Sequence, residues 1–348
     1  MRAARLHGPR DLRVENLPAP GHPGAGQVLI GVRAVGICGS DLHTYRDGKI
    51  GDVTLPSPLV PGHEFSGIIE EAGLGAACGT GAPLLAGMRV AVDPAQPCGT
   101  CELCRRGHPN LCTQLRFCGL FPDDGALREH MLVPASTCFP LPEGIDDAQG
   151  ALLEPLGVAL HAVALARLQE HDTVSIHGAG PIGLLVLQAA LLAGASRVFV
   201  SEPLAWRLAL AERLGAIPVD PSRGPVAQAI AAQTGGRGVD VAFETGWVGP
   251  LAQEAADAVR NGGTVMLVGI PEDDTLTLKH STARRKGLTF FFVRRMKHTY
   301  PQAIELVENG SIDVGTLVSH RFPLDQAREA FALNDCYGDG VVKVIIEI

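Results

Sequence analysis

The stretch TVSIHGAGPIGLLVLQAALLA, residues 173–193, decides the fold. It opens with an apolar run, Thr173–His177, that predicts a buried strand, and it closes with an apolar helix over Ile182–Ala193. Between them the glycines have the G-x-G-x-x-G spacing, which allows a tight turn and brings a helix N-terminus against a pyrophosphate. We therefore predict a dinucleotide-binding turn. Its predicted cofactor contacts are Gly178, Gly180, Pro181, Ile182 and Gly183.

The pattern of strand and helix continues beyond this turn. Apolar segments predict strands at Arg197–Ser201, Val239–Glu244 and Gly263–Gly269, with a helix at Trp206–Leu214. Strands alternating with helices are typical of an α/β fold with a doubly wound parallel sheet.

The strand at Arg197–Ser201 is followed by Glu202, whose carboxylate is suited to the adenosine ribose and repels a 2′-phosphate. We therefore predict NAD rather than NADP. Arg207 leaves NADP open as the alternative. Its side chain either reaches the cofactor, where it would suit a phosphate, or lies on the helix surface as a charged residue.

The first 150 residues have a different character. Short apolar runs separated by glycine and proline predict a mainly β region. Near the end, two helices at Tyr300–Asn309 and Ala327–Asn334 precede a strand at Val341–Ile346. The predicted strands of the first region are Val28–Val35, Gly67–Ile69, Arg89–Val92 and Leu127–Val133.

Composition limits the function classes. The chain has 348 residues, a net charge of −8 and scattered basic residues, so we expect no nucleic-acid partner. Its start lacks an apolar signal region, and no stretch approaches the roughly 20 apolar residues that span a bilayer. We expect a cytoplasmic enzyme with no membrane partner.

Four of the nine cysteines form the motif C-x2-C-x2-C-x7-C in PCGTCELCRRGHPNLC. Four thiolates close together bind zinc tetrahedrally and leave no position open for chemistry, so we predict a structural zinc site. Unrelated thiols, two disulfides or an iron–sulfur cluster are the alternatives. The common iron–sulfur spacing continues with x3-C-P, whereas here seven residues precede the fourth cysteine and no proline follows it. The predicted ligands are Cys98, Cys101, Cys104 and Cys112.

Two further motifs, GICGSDLH and GHEFSG, hold residue types that carry little information singly. Together with the cysteine loop, the GAGPIG turn and LLEPLGVALHA, they resemble the zinc-dependent medium-chain alcohol dehydrogenases over nearly the whole chain. The resemblance implies a GroES-like mainly β catalytic domain, residues 1–152 and 291–348. A Rossmann NAD-binding domain, residues 153–290, is then inserted between its two parts.

The resemblance also implies a second, catalytic zinc. Its ligands are expected to be Cys38, His63 and Glu154, a set that leaves one coordination position open. Glu64, beside His63, is expected to orient a zinc ligand, and direct binding of the zinc is the alternative. Ser40 and His43 are expected to pass on the proton of the substrate, although a turn hydroxyl and a surface histidine are the plainer interpretations.

Within the family, the segment RFCGLFPDDGALREH and the run RRMKHTYP resemble sorbitol and other polyol dehydrogenases. This implies a small polyol substrate contacted by Tyr45, Phe117 and Arg295, and a homotetramer. L-Threonine dehydrogenases share several of the motifs and are the alternative. A zinc-binding scaffold without catalysis is a third interpretation, which the intact set of motif residues disfavours.

Overall fold

The computed structural model describes all residues from Met1 to Ile348. The chain divides into two compact units, one formed by residues 1–154 with 300–348 and the other by residues 155–299. A helix, Leu153–Ala166, contains the first boundary. No helix of the chain has both the length and the apolar character needed to cross a membrane.

The unit of residues 155–299 is built on one sheet of six parallel strands with helices between them. The α/β fold class with a doubly wound parallel sheet is confirmed. The predicted strands Thr173–His177, Arg197–Ser201 and Val239–Glu244 have the observed bounds. In chain order the strands are β12 (Thr173–His177), β13 (Arg197–Ser201), β14 (Ile217–Val219), β15 (Val239–Glu244), β16 (Val259–Leu267) and β17 (Thr289–Phe292). The helices are α5 (Pro181–Leu192), α6 (Ala205–Arg213), α7 (Val226–Gln233), α8 (Pro250–Ala258) and α9 (His280–Lys286).

The strand order of this sheet is β14-β13-β12-β15-β16-β17. The chain moves outward from β12 to β14 and then returns to the other side of β12 with β15. Such a reversal opens a crevice at the carboxyl ends of the two central strands, which is where ligands bind in this kind of sheet. The glycine turn follows β12 at that end.

The unit of residues 1–154 and 300–348 is mainly β, as predicted. Its seven-stranded sheet has the order β11-β7-β6-β3-β19-β18, and β10 also pairs with β3. The strands are β1 (Arg2–Leu6), β2 (Leu12–Asn16), β3 (Gln27–Gly36), β4 (Lys49–Ile50), β5 (Val53–Thr54), β6 (Glu64–Ala72), β7 (Arg89–Val92), β8 (Ala95–Gln96), β9 (Arg116–Phe117), β10 (His130–Pro134), β11 (Cys138–Pro140), β18 (Val318–Pro323) and β19 (Lys343–Glu347). The helices are α1 (Gly39–Asp47), α2 (Glu102–Arg105), α3 (Asp147–Ala151), α10 (Tyr300–Glu308) and α11 (Ala327–Asp335), with α4 (Leu153–Ala166) at the boundary.

Three strands of this sheet meet where the motif residues lie. Gly36 at the end of β3 is opposite Glu64 at the start of β6, and on its other side it faces Ile345 of β19. Gly36 is needed because a β-carbon here would overlap the carboxylate of Glu64. The antiparallel register therefore brings residues 36–38 and 63–64 into one region with residues 343–345, which lie some 280 residues farther along the chain.

Candidate metal and cofactor sites

Three side chains of the motif segments come together at the end of this sheet. Cys38 caps the N-terminus of α1, His63 precedes β6, and Glu64 is its first residue. One ligand atom from each lies within 4.8 Å of those of the other two, and His63 and Glu64 are buried. A thiol, an imidazole and a carboxylate are the donor types that bind zinc in open catalytic sites.

Asp41 lies behind His63 in the same cluster. Its Oδ1 is 3.4 Å from His63 Nδ1, and its two oxygens accept hydrogen bonds from the amides of Gly62 (3.2 Å) and Cys38 (3.0 Å). Burial opposes ionisation, but His63 and these amides hold the pKa of Asp41 below its ordinary value. A carboxylate on Nδ1 fixes the ring so that Nε2 faces a metal. The sequence analysis missed Asp41, although the motif GICGSD contains it.

Ser40 lies on the other side of the imidazole. Its hydroxyl oxygen is 3.3 Å from His63 Nε2, the nitrogen opposite the one that faces Asp41. His43 follows on the same helix and is 6% exposed, so it is not the surface histidine of the plainer interpretation. The structure thus brings Ser40 to the cluster, and the proton path through His43 stays a prediction.

Lys343 adds a positive charge to the cluster, and it lies outside all of the sequence motifs. Its ammonium group is 2.5 Å from Glu64 Oε2 and donates to the carbonyl of Ile37 at 2.9 Å, and the residue is 2% exposed. Burial disfavours the ammonium form, yet Glu64 and Cys38 raise the pKa of Lys343. Because Lys343 is some 280 residues from Glu64 and lies in an apolar strand, only the sheet register reveals the pair.

The other predicted site residues are not part of the group formed by Cys38, His63 and Glu64. Glu154 is buried in the first turn of α4 but is not in the group formed by Cys38, His63 and Glu64. The Phe117 ring packs against His63 with centroids 5.2 Å apart. Tyr45 is buried against Phe331, with ring centroids 5.3 Å apart. Arg295 lies in the other unit and has a positive φ of 51°.

The four cysteines of the loop converge as the motif predicts. Their sulfur atoms all lie within 4.8 Å of one another, and the thiols are free rather than in disulfides. Amide groups, led by that of Cys104, lower the pKa of Cys101 to about 6. Burial and the neighbouring thiols raise the pKa of Cys104 to about 12, so the four sulfurs are not all ionised near neutral pH without a cation. This donor set fits a zinc ion.

In the other unit the glycine turn has the geometry that dinucleotide binding requires. Gly178 has a φ of 109°, and a β-carbon on Gly183 would overlap the Gly178 carbonyl oxygen. Glu202 follows β13, and its two oxygens accept hydrogen bonds from the amides of Ala179 (2.8 Å) and Leu204 (3.0 Å). Its carboxylate is therefore held beside the turn.

Arg207 is not a helix-surface charge. It is 7% exposed, and its guanidinium lies 3.8 Å from the position of a β-carbon on Gly180. A cleft of about 670 Å³ runs from Glu202 along α6 to Asp220 and Arg223. The cleft begins at Glu202, whose carboxylate is held beside the turn, so it offers space for the adenosine side of a dinucleotide next to that turn.

Comparisons with known proteins agree with this chemistry. Residues 24–143 match the alcohol dehydrogenase GroES-like domain, and residues 181–309 match the zinc-binding dehydrogenase domain. Sorbitol dehydrogenase of Bacillus subtilis is 35% identical over 99% of this chain and 97% of its own length. The chain belongs to the zinc-dependent medium-chain dehydrogenase family.

Two further relatives show the range of this family. L-Idonate 5-dehydrogenase of Vitis vinifera is 35% identical over 99% of this chain and 94% of its own length. A zinc-binding dehydrogenase of Sinorhizobium meliloti, solved with NADP, has a TM-score of 0.89 and 34% identity, covering 100% of this chain and 99% of its own. This medium-chain dehydrogenase is an oxidoreductase that uses zinc and a nicotinamide cofactor on a small alcohol.

Proposed function

We propose that this medium-chain dehydrogenase oxidises a secondary alcohol of a polyol to a ketone with NAD. The observation that carries the proposal is the convergence of Cys38, His63 and Glu64. Asp41 lies behind this cluster and Ser40 in front of it. The sorbitol and idonate dehydrogenases among its relatives support a polyhydroxylated substrate.

For the proposed catalytic zinc, two ligands come from the motif residues and a carboxylate is the third. Cys38 and His63 supply the thiolate and the imidazole, and the distances favour Glu64 as the third ligand. The family resemblance assigns that role to Glu154, which is the alternative. When bound, zinc and NAD supply a Lewis acid for the substrate oxygen and an acceptor for the hydride.

The chain's own residues then hold the substrate and move its proton. Asp41 keeps the His63 ring in place, so that Nε2 is presented to the site. The Ser40 oxygen, 3.3 Å from that nitrogen, is placed to accept the hydroxyl proton of the substrate and pass it toward His43. Phe117 provides an apolar wall beside His63, and Tyr45 and Arg295 are the further proposed substrate contacts.

NAD is the proposed form of the cofactor. Two amide hydrogen bonds hold the Glu202 carboxylate at the end of β13, and a fixed carboxylate repels a 2′-phosphate. Arg207 argues in the other direction, because it is a buried cation near the same turn. A higher kcat/KM with NADP than with NAD would overturn the role given to Glu202.

The second proposed zinc, at Cys98, Cys101, Cys104 and Cys112, is structural because four sulfurs complete its coordination. We also propose a cytoplasmic homotetramer, on the resemblance alone.

The deciding experiment is a substrate panel with NAD reduction as the readout. Sorbitol, xylitol, galactitol, L-threonine and simple alcohols separate the polyol function from the threonine and general alcohol alternatives. A His63→Ala variant should lose turnover while still binding NAD, because the glycine turn and the metal cluster lie in different units. Full activity in that variant would exclude the proposed mechanism.

A further inference from the structure

Arg128 is a partly buried cation close to the proposed metal cluster. It follows a segment that is hydrogen-bonded to the residues just before His63: the amide of Gly125 donates to Val60 (2.6 Å), that of Ala126 to Gly62 (2.8 Å) and that of Leu127 to Pro61 (3.1 Å). The backbone at Arg128 therefore runs beside the backbone that leads to His63.

The guanidinium of Arg128 makes no hydrogen bond and no ion pair within 4 Å, and its Nε is fully buried without an acceptor. Burial lowers the pKa of Arg128, and Asp124 offsets this only from beyond contact. Withdrawing part of a charged group from water is costly, and pairing with an anion offsets that cost.

The acids around Arg128 are already engaged elsewhere. Asp123 pairs with Arg116, and Glu129 binds Arg2 at 2.9 Å. Asp124 accepts the amide of Val60 at 2.9 Å. None of these three carboxylates forms an ion pair with Arg128 within 4 Å, although the charge of Asp124 acts on it from farther away, so the guanidinium can pair with a ligand from outside the chain.

Cys118 links Arg128 to the cluster. Burial raises the pKa of Cys118 to about 11, while the charges of Arg128 and His63 both act on it in the opposite direction. The thiol is thus within electrostatic range of both groups. Its neighbour Phe117 packs on the His63 ring. Because residues 125–127 are also hydrogen-bonded to residues 60–62, Arg128 lies in the same region of the unit as His63.

We propose that Arg128 binds an oxyanion carried by the alcohol substrate, either a carboxylate or a phosphate. A guanidinium presents a planar fork of N–H donors that matches both groups, and the neutral hydroxyls of a simple polyol cannot neutralise it. The inference rests on the proposed function, because it names the class of polyol that this site selects: a sugar acid or a sugar-alcohol phosphate.

The test compares matched neutral and anionic substrates. We expect kcat/KM to be higher for L-idonate than for L-iditol, or for galactitol 1-phosphate than for galactitol, and the pair that shows the preference identifies the oxyanion. Arg128→Met should lower kcat/KM for the preferred anionic substrate about 30-fold, the size expected for a charged hydrogen-bonded contact, and should change the neutral one less than about threefold. Inorganic phosphate should inhibit the wild type competitively against the alcohol and not the variant.

Arg33→Met is the matched control, because Arg33 is an exposed arginine of β3 and its loss removes the same charge. If Arg128→Met does not fold, Arg128→Lys should keep the preference in weakened form. Equal kcat/KM for neutral and anionic substrates, or an equal loss for both in Arg128→Met, would overturn the inference while the polyol function stands. No turnover of any polyol would instead overturn the proposed function.

Discussion

At the scale of single residues, the metal cluster depends on Asp41, a side chain that is not placed as a ligand. Asp41→Asn removes the charge that orients His63 and should lower zinc affinity and kcat/KM by about 10- to 100-fold. Zinc content after dialysis against a chelator, measured beside the kinetics, checks this. Asp47→Asn, an exposed position of the same helix, should leave both unchanged. Wild-type zinc retention in Asp41→Asn would contradict the orienting role.

The third zinc ligand is also decided by single residues. If Glu64 is the ligand, Glu64→Gln should reduce the zinc content to the structural ion alone, while Glu154→Gln retains both ions. Glu64→Gln also leaves the Lys343 ammonium buried without its partner, which is strongly destabilising in its own right. The double variant Glu64→Gln/Lys343→Met removes that penalty. Loss of the catalytic zinc in Glu154→Gln and not in the double variant would establish Glu154 instead.

At this scale, the sequence predicted those site residues that lie close together in short motifs. Cys38, Ser40 and Asp41 lie in one short segment, and His63 and Glu64 lie in another. The motifs therefore predicted a metal site from these two segments, although they did not indicate the role of Asp41. Lys343 and Arg128 carry no such signal. Lys343 meets Glu64 only because β19 pairs with β3, and Arg128 is notable only because its neighbours Asp123 and Glu129 pair with other arginines.

At the scale of structural elements, the cysteine loop is the segment whose fold depends most clearly on a bound ligand. The segment from Cys98 to Cys112 has only a one-turn helix and a short 3-10 turn of its own. Cys101→Ser should therefore lower the melting temperature by at least about 5 °C, because a structural zinc contributes folding free energy. Cys336→Ser, at an exposed thiol outside both clusters, is the control. An unchanged melting curve for Cys101→Ser would argue against a structural metal.

The central sheet of the other unit carries a pH-dependent element. Burial raises the pKa of Glu244, at the end of β15, from 4.5 to about 7, although amides of Gly246 and Gly269 oppose this. Between pH 4.5 and 7 the unfolded carboxyl ionises and the folded one does not, so stability is lost as pH rises. At about 1.4 kcal/mol per pKa unit, the loss is about 3 kcal/mol.

Glu244→Gln should remove this loss. Relative to wild type, the variant should gain about 3 kcal/mol of unfolding free energy between pH 5 and pH 8, measured by urea unfolding at each pH. Glu308→Gln, at an exposed glutamate, should show no such trend. A wild type and a Glu244→Gln protein with parallel pH profiles would place the pKa of Glu244 at its ordinary value.

The sequence predicted these elements unevenly. Buried parallel strands such as β12 and β13 are short apolar runs bounded by turns, so their limits could be read directly. Helix α4 was missed because it is mostly apolar with little helical periodicity, and no glycine turn precedes it as one precedes α5. Helix α1 was missed because its residues were interpreted only as part of a metal-binding motif and have little helical periodicity. Burial on all sides removes the periodic signal that sequence analysis uses.

At the scale of the whole molecule, each unit contains its own proposed ligand sites. Both cysteine-containing clusters belong to residues 1–154 and 300–348, whereas the glycine turn, Glu202 and Arg207 belong to residues 155–299. A ligand that binds only the folded state stabilises the segment that holds it, by about 2.7 kcal/mol at 100 times its Kd. Metal removal and cofactor addition should therefore act on different parts of the chain.

Hydrogen exchange followed by mass spectrometry of peptides tests this separation. NAD at 100 times its Kd should slow exchange in peptides covering residues 173–183 and 201–207 and leave residues 98–112 unchanged. A chelator should speed exchange in residues 98–112 and 36–64 and leave residues 197–201 unchanged, because no proposed zinc ligand lies in that strand. Protection of residues 98–112 by NAD, or faster exchange in β13 on chelation, would show that the two units do not respond separately.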